Sequence, residues 1–313
     1  MHRLACLSLS FSLSAATCCT DLTLAETGIA WNYKADLGIE ADPAVVLTEN
    51  FEAPIPEILG RFTGYSPEAF AWSTDRPAES LGLHSLLIHP GGDKLYALLA
   101  DDYDRLYVRY YIKYVGLDYH HSGVSVGGYW PRSRYPLGDA GLKGIRPDGR
   151  RLMHIGLEPM GWGKDNPTAV RLDTYNNWIG MSGQEINGGW WGRSFLRELQ
   201  IPLRPGTWQC IELMVKMNSA PSSHDGELTV WIDGILQAHF MPGFPHGNFH
   251  AYSGRWVMDH AGEGFPGLQW RDTLQYGLNW IKIQNYDDIG EPTDILIDDL
   301  VVATQYIGPI HRK

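Results

Sequence analysis

The chain has 313 residues, of which 44% are hydrophobic and 19% are charged, and its net charge is −11 at pH 7. This composition is typical of a globular protein and excludes a disordered chain. After the N-terminal stretch there is no apolar run of about 18 residues, so no transmembrane helix is expected. The acidic balance argues against nucleic acid or an anionic membrane as partner.

Positive charge nevertheless collects in one part of the chain. From Arg105 to Arg171 there are eleven Lys and Arg residues against five Asp and Glu residues, a local net charge of +6. A basic segment in an acidic protein favours a site for an anionic ligand. Chance clustering of basic residues in surface loops would give the same count, so both interpretations stay open.

The first 25 residues have the pattern of a secretory signal peptide. His2 and Arg3 give a weakly basic start, and the apolar stretch Leu4–Leu13 is followed by small residues up to Ala25. We therefore expect a secreted or periplasmic protein, cut within or at the end of this stretch. No internal repeat or linker divides the remainder, so residues 26–313 are expected to form one domain.

The predicted elements are strands, recognised by apolar residues at every second position. In the first part of the chain they are Val45–Glu52, Leu83–His89, Lys94–Leu99, Arg105–Tyr114 and His120–Gly127. A single helical turn is the alternative for the third of these. An irregular stretch broken by Pro and Gly residues separates the first two strands, so no helix is expected there.

Two long loops rich in Gly follow, and loops of such length are usually functional or disordered. The first is Tyr129–Arg150, and the second comes after Asn176 and contains Trp190 and Trp191. Between them lie the predicted strands Leu152–Glu158 and Val170–Asn176.

The strongest pattern is Thr207–Phe240, which predicts a meander of three antiparallel strands. Its second turn is Asp233-Gly234, and Asp-Gly between apolar alternations is typical of a type I′ hairpin turn. A loop rich in Gly, His and aromatic residues follows, and Leu278–Tyr286 and Asp294–Thr304 are the last predicted strands.

About ten to fourteen short strands without a convincing helix predict an all-β protein built as a β-sandwich. Apart from Cys210, every cysteine lies in the first 19 residues. The cysteines therefore offer no disulfide framework, and a large hydrophobic core is expected to hold the fold.

Three pieces of sequence carry a resemblance to a known family. WQCIELMVKMN, DGELTVWIDG and ILIDDLVVATQYIGP, in that order, resemble the C-terminal half of concanavalin A-like jelly rolls. Together with VRYYIKY and the His-containing strand after it, they are most similar to polysaccharide lyases of the glucuronan lyase and heparin lyase I type. The resemblance implies two curved antiparallel sheets packed face to face, with a carbohydrate groove on the concave sheet.

The chain also departs from relatives on this fold. The Glu-x-Asp-x-x-Glu strand of laminarinase-type hydrolases is absent, and so is the Gln-x-His strand of alginate lyases, for which His154 is only a loose counterpart. The resemblance therefore implies a polysaccharide, and most naturally an anionic one, as the partner. It does not supply a matched catalytic set.

A lyase acting on a uronate polymer needs a cation or amide on the carboxylate, a base for the proton beside it, and an acid for the leaving oxygen. Suitable side chains lie opposite the apolar faces of the predicted strands. The catalytic candidates are His121, His154, Arg109, Arg171 and Tyr175. The substrate-binding candidates are Tyr111, Lys113, Glu158, Trp190, Trp191, Lys282 and Tyr286.

Each of these candidates also has a purely structural interpretation. Arg109 and Lys113 suit a solvated strand face, His154 and Glu158 suit a satisfied polar pair, and the tyrosines and loop tryptophans suit packing. Two other functions stay open as well. A glycoside hydrolase would use two carboxylates, for which Glu158 and Asp173 are the obvious pair, and a lectin-like module would only bind sugar.

A structural calcium ion is the one cofactor that the sequence indicates. Glu52 follows the first predicted strand and Asp298 lies in the last, and hard oxygen ligands of this kind suit Ca²⁺. The pattern Ile-Asp-Asp-Leu also occurs in strands without a metal, so the indication is weak.

Overall fold

The computed structural model describes residues 27–63, 67–91, 94–116, 121–132, 144–160, 170–286 and 293–312. The predicted signal peptide lies outside the described residues, as does His120 at the start of one predicted strand. No helix within these ranges is long and apolar enough to cross a membrane.

Strands predominate among the described elements. In chain order the elements are β1 (Val45–Glu49), α1 (Ile55–Gly60), β2 (Phe70–Ser73), β3 (Ser85–Ile88), β4 (Lys94–Tyr103), β5 (Arg105–Tyr114), β6 (His121–Tyr129), β7 (Leu152–Met160), β8 (Arg171–Asn177), β9 (Gln209–Lys216), β10 (Glu227–Ile232), β11 (Ile235–Phe240), β12 (His246–Phe249), β13 (Trp256–Met258), β14 (Glu263–Gly264), β15 (Leu278–Tyr286) and β16 (Ile295–Ala303). Short 3₁₀ turns lie between several of them.

Two antiparallel sheets form the body of the fold. The eight-stranded sheet has the order β11-β10-β9-β5-β16-β3-β2, with β1 paired to β16 as well. The five-stranded sheet has the order β4-β15-β6-β7-β8, and a small third sheet has the order β13-β12-β14. This is the all-β jelly-roll sandwich that the sequence predicts.

The hydrophobic core lies between the two large sheets. Ile112 and Leu213 of the eight-stranded sheet join one apolar cluster with Val126, Ile155 and Ile283 of the five-stranded sheet, and all of them are at most 1% exposed. Period-two alternation explains this, because each strand turns every second side chain inward. The alternate residues of both sheets therefore point away from the core, to opposite sides of the molecule.

Most predicted strands are confirmed, and β5 and β15 have the predicted bounds. The meander Thr207–Phe240 is confirmed as β9, β10 and β11, paired in that order. Its turn has φ of 53° at Asp233 and 74° at Gly234, as a type I′ turn requires.

Three regions differ from the expectation of irregular loops, and one of them is β2, which pairs with β3. Ile55–Gly60 is helical because Pro56 stands in the first turn, where a missing N–H is tolerated, and because Ile58 and Leu59 are buried. Residues 246–264 contain β12, β13 and β14, which are only two to four residues long. Strands of that length are too short to show a period.

The hairpin turn offers a test of the β10–β11 register. Gly234→Ala places a side chain at positive φ and against Pro309, whose Cγ would lie 2.8 Å from the new Cβ. We expect the free energy of unfolding to fall by about 1–2 kcal/mol, measured by urea denaturation. Gly60→Ala is the matched control, because its Cβ would meet no atom within 4 Å. Equal effects of the two variants would contradict the turn assignment.

Candidate active site

The face of the five-stranded sheet that points away from the core carries most of the polar candidates. On this outer face lie His121, Ser125, His154, Glu158, Tyr175, Asn177, Lys282, Gln284 and Tyr286. Although they point away from the core, several are almost fully buried, with Lys282 at 0% and His154 and Gln284 at 2% exposure. This face is therefore recessed rather than a flat, solvated surface.

Antiparallel register arranges the side chains in rows across β15, β6, β7 and β8. The first row is Lys282, Ser125, Gly156 and Tyr175, and the second is Trp280, Gly127, His154 and Asn177. Small residues occupy the middle of both rows. A Cβ on Gly156 would lie 2.5 Å from Ser125 Oγ, and one on Gly127 would lie 2.3 Å from the Trp280 ring.

Between Lys282 and Tyr175 the first row holds only Ser125 and Gly156, so the middle of this face carries no large side chain of that row. We call this low middle of the outer face, with Gly127 beside it, the hollow. Neighbouring strands are ~4.8 Å apart, so the Cα atoms of Lys282 and Tyr175 are roughly 14 Å apart across three strand spacings. Two long side chains directed inward from those positions can reach the same bound sugar residue.

Five rings form a continuous chain of contacts across this face, from β8 to β15. The Tyr175 ring makes edge contacts with His121, at a centroid distance of 5.2 Å, and with His154, at 5.9 Å. His154 in turn stacks on Trp280 at 5.7 Å, and His121 stacks on Tyr286 at 6.1 Å. The Tyr175 ring therefore contacts both imidazoles.

His121 is oriented by a buried carboxyl group. Its Nδ1 lies 2.7 Å from Oε1 of Glu158, whose side chain is 3% exposed, whereas the His121 side chain is 22% exposed. A carboxylate accepts a hydrogen bond from Nδ1–H, so the other ring nitrogen of a neutral His121 carries the lone pair. This pair is the usual arrangement of a base held by an orienting acid.

Tyr175 is held as a neutral phenol. Burial raises the pKa of its hydroxyl to about 12, the backbone N–H of Gly192 opposes this increase, and the negative charge of Glu158 adds to it. Gly192 lies flat on the ring, because a Cβ at that position would be 2.4 Å from its Cδ1. At neutral pH Tyr175 is therefore a proton donor.

The loop after β8 holds Gly192 against that ring. Asp173 Oδ1 accepts hydrogen bonds from the backbone N–H groups of Thr174, Phe195 and Leu196 at 2.7, 3.1 and 2.8 Å. Burial raises the pKa of Asp173 to about 7, although these three N–H groups oppose the increase. Asp173 thus fixes the loop and does not face the hollow as a free carboxylate.

Arg193 fixes the same loop from its other side. The buried guanidinium donates to the main-chain carbonyls of Ser182, Trp191 and Gln184 at 3.1, 2.9 and 2.8 Å. Neither Arg193 nor Gly192 was among the sequence candidates. In the sequence they are marked only by their position next to Trp190 and Trp191. The contact of Gly192 with the Tyr175 ring joins residues distant in the chain, so periodicity cannot reveal it.

Three predicted site residues do not lie on this face of the sandwich. Arg109, Tyr111 and Lys113 belong to β5 in the eight-stranded sheet, so they lie on the opposite outer face of the sandwich. Arg109 pairs with Asp36, Lys113 pairs with Asp75, and Tyr111 accepts a hydrogen bond from the Ile310 N–H at 3.0 Å. Each of them binds a peripheral segment to the sheet.

Other candidates lie around the hollow. Arg171 begins β8, four residues before Tyr175, and its guanidinium donates to the Val170 carbonyl at 2.8 Å. Trp190 is half-buried against the core, whereas Trp191 is 38% exposed and donates from Nε1 to the Ile186 carbonyl. The loop after β8 therefore presents one indole to solvent.

The predicted calcium residues belong to the other sheet: Asp298 lies in β16, an interior strand of the eight-stranded sheet, and Glu52 follows β1. Asp298 is 0% exposed, and its Oδ2 accepts no hydrogen bond from the described residues. Burial, and then the charge of Asp299, raises its pKa well above the usual value. A hard cation would relieve both effects, so Asp298 fits a calcium ligand.

Glu52 fits that role less well. Its Oε1 already accepts hydrogen bonds from the N–H groups of Leu83 and His84 at 2.7 and 2.8 Å. Within the described ranges, no group of three or more His, Cys, Asp or Glu side chains is arranged to hold a metal. A calcium ion bound to Asp298 would need main-chain oxygens or water among its roughly six to eight ligands.

Comparison with solved structures places the fold among polysaccharide lyases. Alginate lyase Aly36B aligns at 12% identity with a TM-score of 0.55, over 85% of this chain and 99% of that one. Alginate lyase vAL-1 from Chlorella virus aligns at 10% identity with a TM-score of 0.54, over 83% and 99%. An Aly36B mutant in complex with alginate tetrasaccharide aligns at 11% identity with a TM-score of 0.53, over 85% and 99%.

Sequence comparison adds nothing to this: no protein-family model and no curated protein matches the chain. At such low identities the structural likeness shows the fold. The chain has the jelly-roll fold of these polysaccharide lyases, which confirms the resemblance found in its sequence.

The role of Asp173 can be tested by the pH dependence of stability. Its pKa is raised from 3.8 to about 7 in the folded state. The folded protein therefore holds this proton more tightly than the unfolded chain does. As pH rises from 3.8 to about 7, the Asp173 carboxyl group lowers the free energy of unfolding. Asp173→Asn keeps an acceptor oxygen for the loop but carries no charge.

We expect the unfolding free energy of Asp173→Asn, relative to that of the unsubstituted chain, to increase by a few kcal/mol between pH 4 and pH 7.5 in urea titrations. Asp148→Asn is the control with the opposite sign. Hydrogen bonds to Arg150 and Arg151 lower the pKa of that exposed carboxyl, so its stabilising effect is present at neutral pH and lost in acid. Parallel pH profiles for Asp173→Asn and the unsubstituted chain would contradict this assignment.

Proposed function

We propose that this protein is a secreted polysaccharide lyase that cleaves a uronate polymer by β-elimination. The observation that carries the proposal is the contact of the Tyr175 ring with both His121 and His154, beside a hollow whose far side is Lys282. The alginate lyase fold supports it, and one structure of that fold is in complex with alginate tetrasaccharide. The basic segment Arg105–Arg171 also supports an anionic substrate, although its first basic residues, on β5, belong to the opposite sheet.

Lys282 and Gln284 are proposed to bind the carboxylate of the reacting sugar. Removing the proton beside a carboxylate creates an enolate-like charge on that group, which fixed donors stabilise more than water does. Lys282 is fully buried, and Gln284 is also buried on the same strand, two residues further on. Binding there requires the substrate carboxylate to replace the protein atoms that exclude water from both side chains.

His121 is proposed as the base and Tyr175 as the acid. The imidazole takes the proton next to the carboxylate, and the electron pair of that C–H bond becomes the new carbon–carbon double bond. The glycosidic C4–O4 bond breaks, and O4 takes the proton of the Tyr175 hydroxyl. Transfer of a proton from the imidazolium to the tyrosinate, across the ring contact at 5.2 Å, restores both groups.

His154 is proposed as a positioning residue. It is 2% exposed and lies between the rings of Trp280 and Tyr175, so its main effect is to hold the phenol at the edge of the hollow. The less buried His121 has access to substrate. We therefore assign the base to His121 and the positioning role to His154, a choice that the sequence left open.

The test is a screen of glucuronan, alginate, ulvan and heparinoids for unsaturated products, detected by their ultraviolet absorbance. We expect His121→Gln and Tyr175→Phe each to lower kcat by roughly 10²–10⁴-fold on the polymer that is cleaved, because each removes a proton-transfer group. Tyr33→Phe is the control, since Tyr33 packs on the outer face of the eight-stranded sheet.

Other outcomes of the screen have definite meanings. New reducing ends without unsaturated product would identify a glycoside hydrolase. The geometry disfavours that outcome, because Asp173, the partner of Glu158 in register, is committed to three backbone N–H groups. Retention on a polysaccharide without turnover would identify a binding module that uses the exposed Trp191.

We further propose that calcium stabilises the fold through Asp298. Calcium that binds only the folded state raises the midpoint of thermal unfolding, Tm. We expect added CaCl₂ to raise Tm relative to EDTA, and Asp298→Asn to abolish this difference while raising Tm in EDTA, since it removes repulsion with Asp299. Asp272→Asn, at an exposed ion pair with Arg150, is the control. Equal Tm values in CaCl₂ and EDTA for the unsubstituted protein would refute the proposal.

A further inference from the structure

Two guanidinium groups lie on the same loop tryptophan. Cζ of Arg146 is 4.5 Å from the centroid of the Trp190 ring, and Cζ of Arg193 is 5.3 Å from it. Arg146 belongs to the segment before β7, and its guanidinium also donates to the Met181 carbonyl at 3.0 Å. The two positive charges are thus held close together by an indole and by main-chain carbonyls.

No acidic side chain of the described residues neutralises these two charges. Arg193 is 1% exposed and uses its donors on three carbonyls, and neither arginine has a carboxylate oxygen within 4.0 Å in the ranges that the structure describes. Burial lowers the pKa of Arg193, and the charge of Arg146 lowers it further. Holding like charges together without a counter-ion costs free energy, which a bound anion would return.

This cationic pair borders the reaction site. Trp190 and Arg193 flank the segment that contains Gly192, and Gly192 lies against the Tyr175 ring. The backbone of Arg193 is paired with that of Asn176, next to Tyr175 on β8. Lys282 is on the other side of Tyr175, three strands away in the same sheet. The two sources of positive charge therefore lie on opposite sides of the phenol.

We propose that Arg146, supported by Trp190 and backed by Arg193, binds the anionic group of a second sugar residue, adjacent along the polymer to the one that reacts. This inference rests on the proposed function, because it assigns Lys282 to the reacting residue and Arg146 to its neighbour. The exposed Arg146 makes the contact, and the buried Arg193 fixes the Trp190 loop and adds its charge. The site would select polymers that carry negative charge on consecutive residues.

The ligand chemistry is an anion on a pyranose ring, either a carboxylate or a sulfate ester. Arg suits both, because its planar fork of donors matches two oxygens of either group. The indole beside it offers an apolar face to the sugar ring. A neutral polymer would make only the contact between its sugar ring and the indole.

The experiment measures binding by titration calorimetry in a Tyr175→Phe background, so that no cleavage intervenes. The probes are alginate and glucuronan tetrasaccharides, the corresponding disaccharides, carboxyl-reduced tetrasaccharides and sulfated neutral tetrasaccharides. We expect Arg146→Gln to raise the Kd of a uronate tetrasaccharide by roughly 10-fold to 100-fold, the range for loss of a charge-assisted pair. The Kd of the carboxyl-reduced tetrasaccharide should stay unchanged.

Two further readouts separate ion binding from a merely structural role of Arg146. The dependence of the tetrasaccharide Kd on salt should weaken in Arg146→Gln, because one ionic contact is lost. Arg151→Gln is the matched control: Arg151 is an exposed arginine near the same segment, and it is paired with Asp148 at 3.1 Å. It should leave every Kd unchanged. A gain of affinity for the sulfated over the reduced probe would identify sulfate as an accepted anion.

The outcomes distinguish this inference from the proposed function. If the Tyr175→Phe protein binds a uronate tetrasaccharide and Arg146→Gln binds it equally well, the inference is wrong and the proposed lyase stands. If Arg146→Gln weakens charged and carboxyl-reduced probes equally, Arg146 only holds the loop, and the inference is again wrong. If no uronate probe binds, the proposed function fails as well.

Discussion

The edge contacts of Tyr175 with His121 and His154 are the interaction on which the site depends. They require three side chains from β6, β7 and β8 to meet on one face, and antiparallel register brings them there. Gly192 closes the remaining side of the ring, where any larger residue would collide with it. The phenol is thereby removed from water and kept protonated, which is the form that the proposed acid requires.

Burying these side chains costs free energy of hydration, and the hydrogen bonds that fix the loop after β8 offset that cost. The buried carboxyl group of Asp173 accepts hydrogen bonds from main-chain N–H groups, and the buried guanidinium of Arg193 donates to main-chain carbonyls. Each fixes the loop from one side, and each does so at the expense of its own hydration. Such groups are more costly than an apolar anchor, but their hydrogen bonds are directional, and they set the position of Gly192 more strictly.

The sequence predicted the sandwich, β5, β15 and the Asp233-Gly234 hairpin, because alternation and turn chemistry are local. It also placed His121, His154 and Lys282 opposite the apolar face, as they are found. The alternation of apolar and polar residues does not show which of the two sheets a strand joins. The strand that carries Arg109 has the same period as those of the site, yet it pairs with β9 and β16 on the far side of the core.

The same limit explains why the sequence grouped Arg109 with the strands of the site. A lone Arg in a strand is attractive as a carboxylate ligand, but Arg109 is 0% exposed and balances Asp36. The arginines without a described acidic partner, Arg146 and Arg193, are in loops, where no period marks them. Charge in a chain is informative about function only once its counter-charges are known, and those are set by tertiary contacts. The excess of positive charge from Arg105 to Arg171 has the same limit, because its first basic residues lie on β5 and so belong to the opposite sheet.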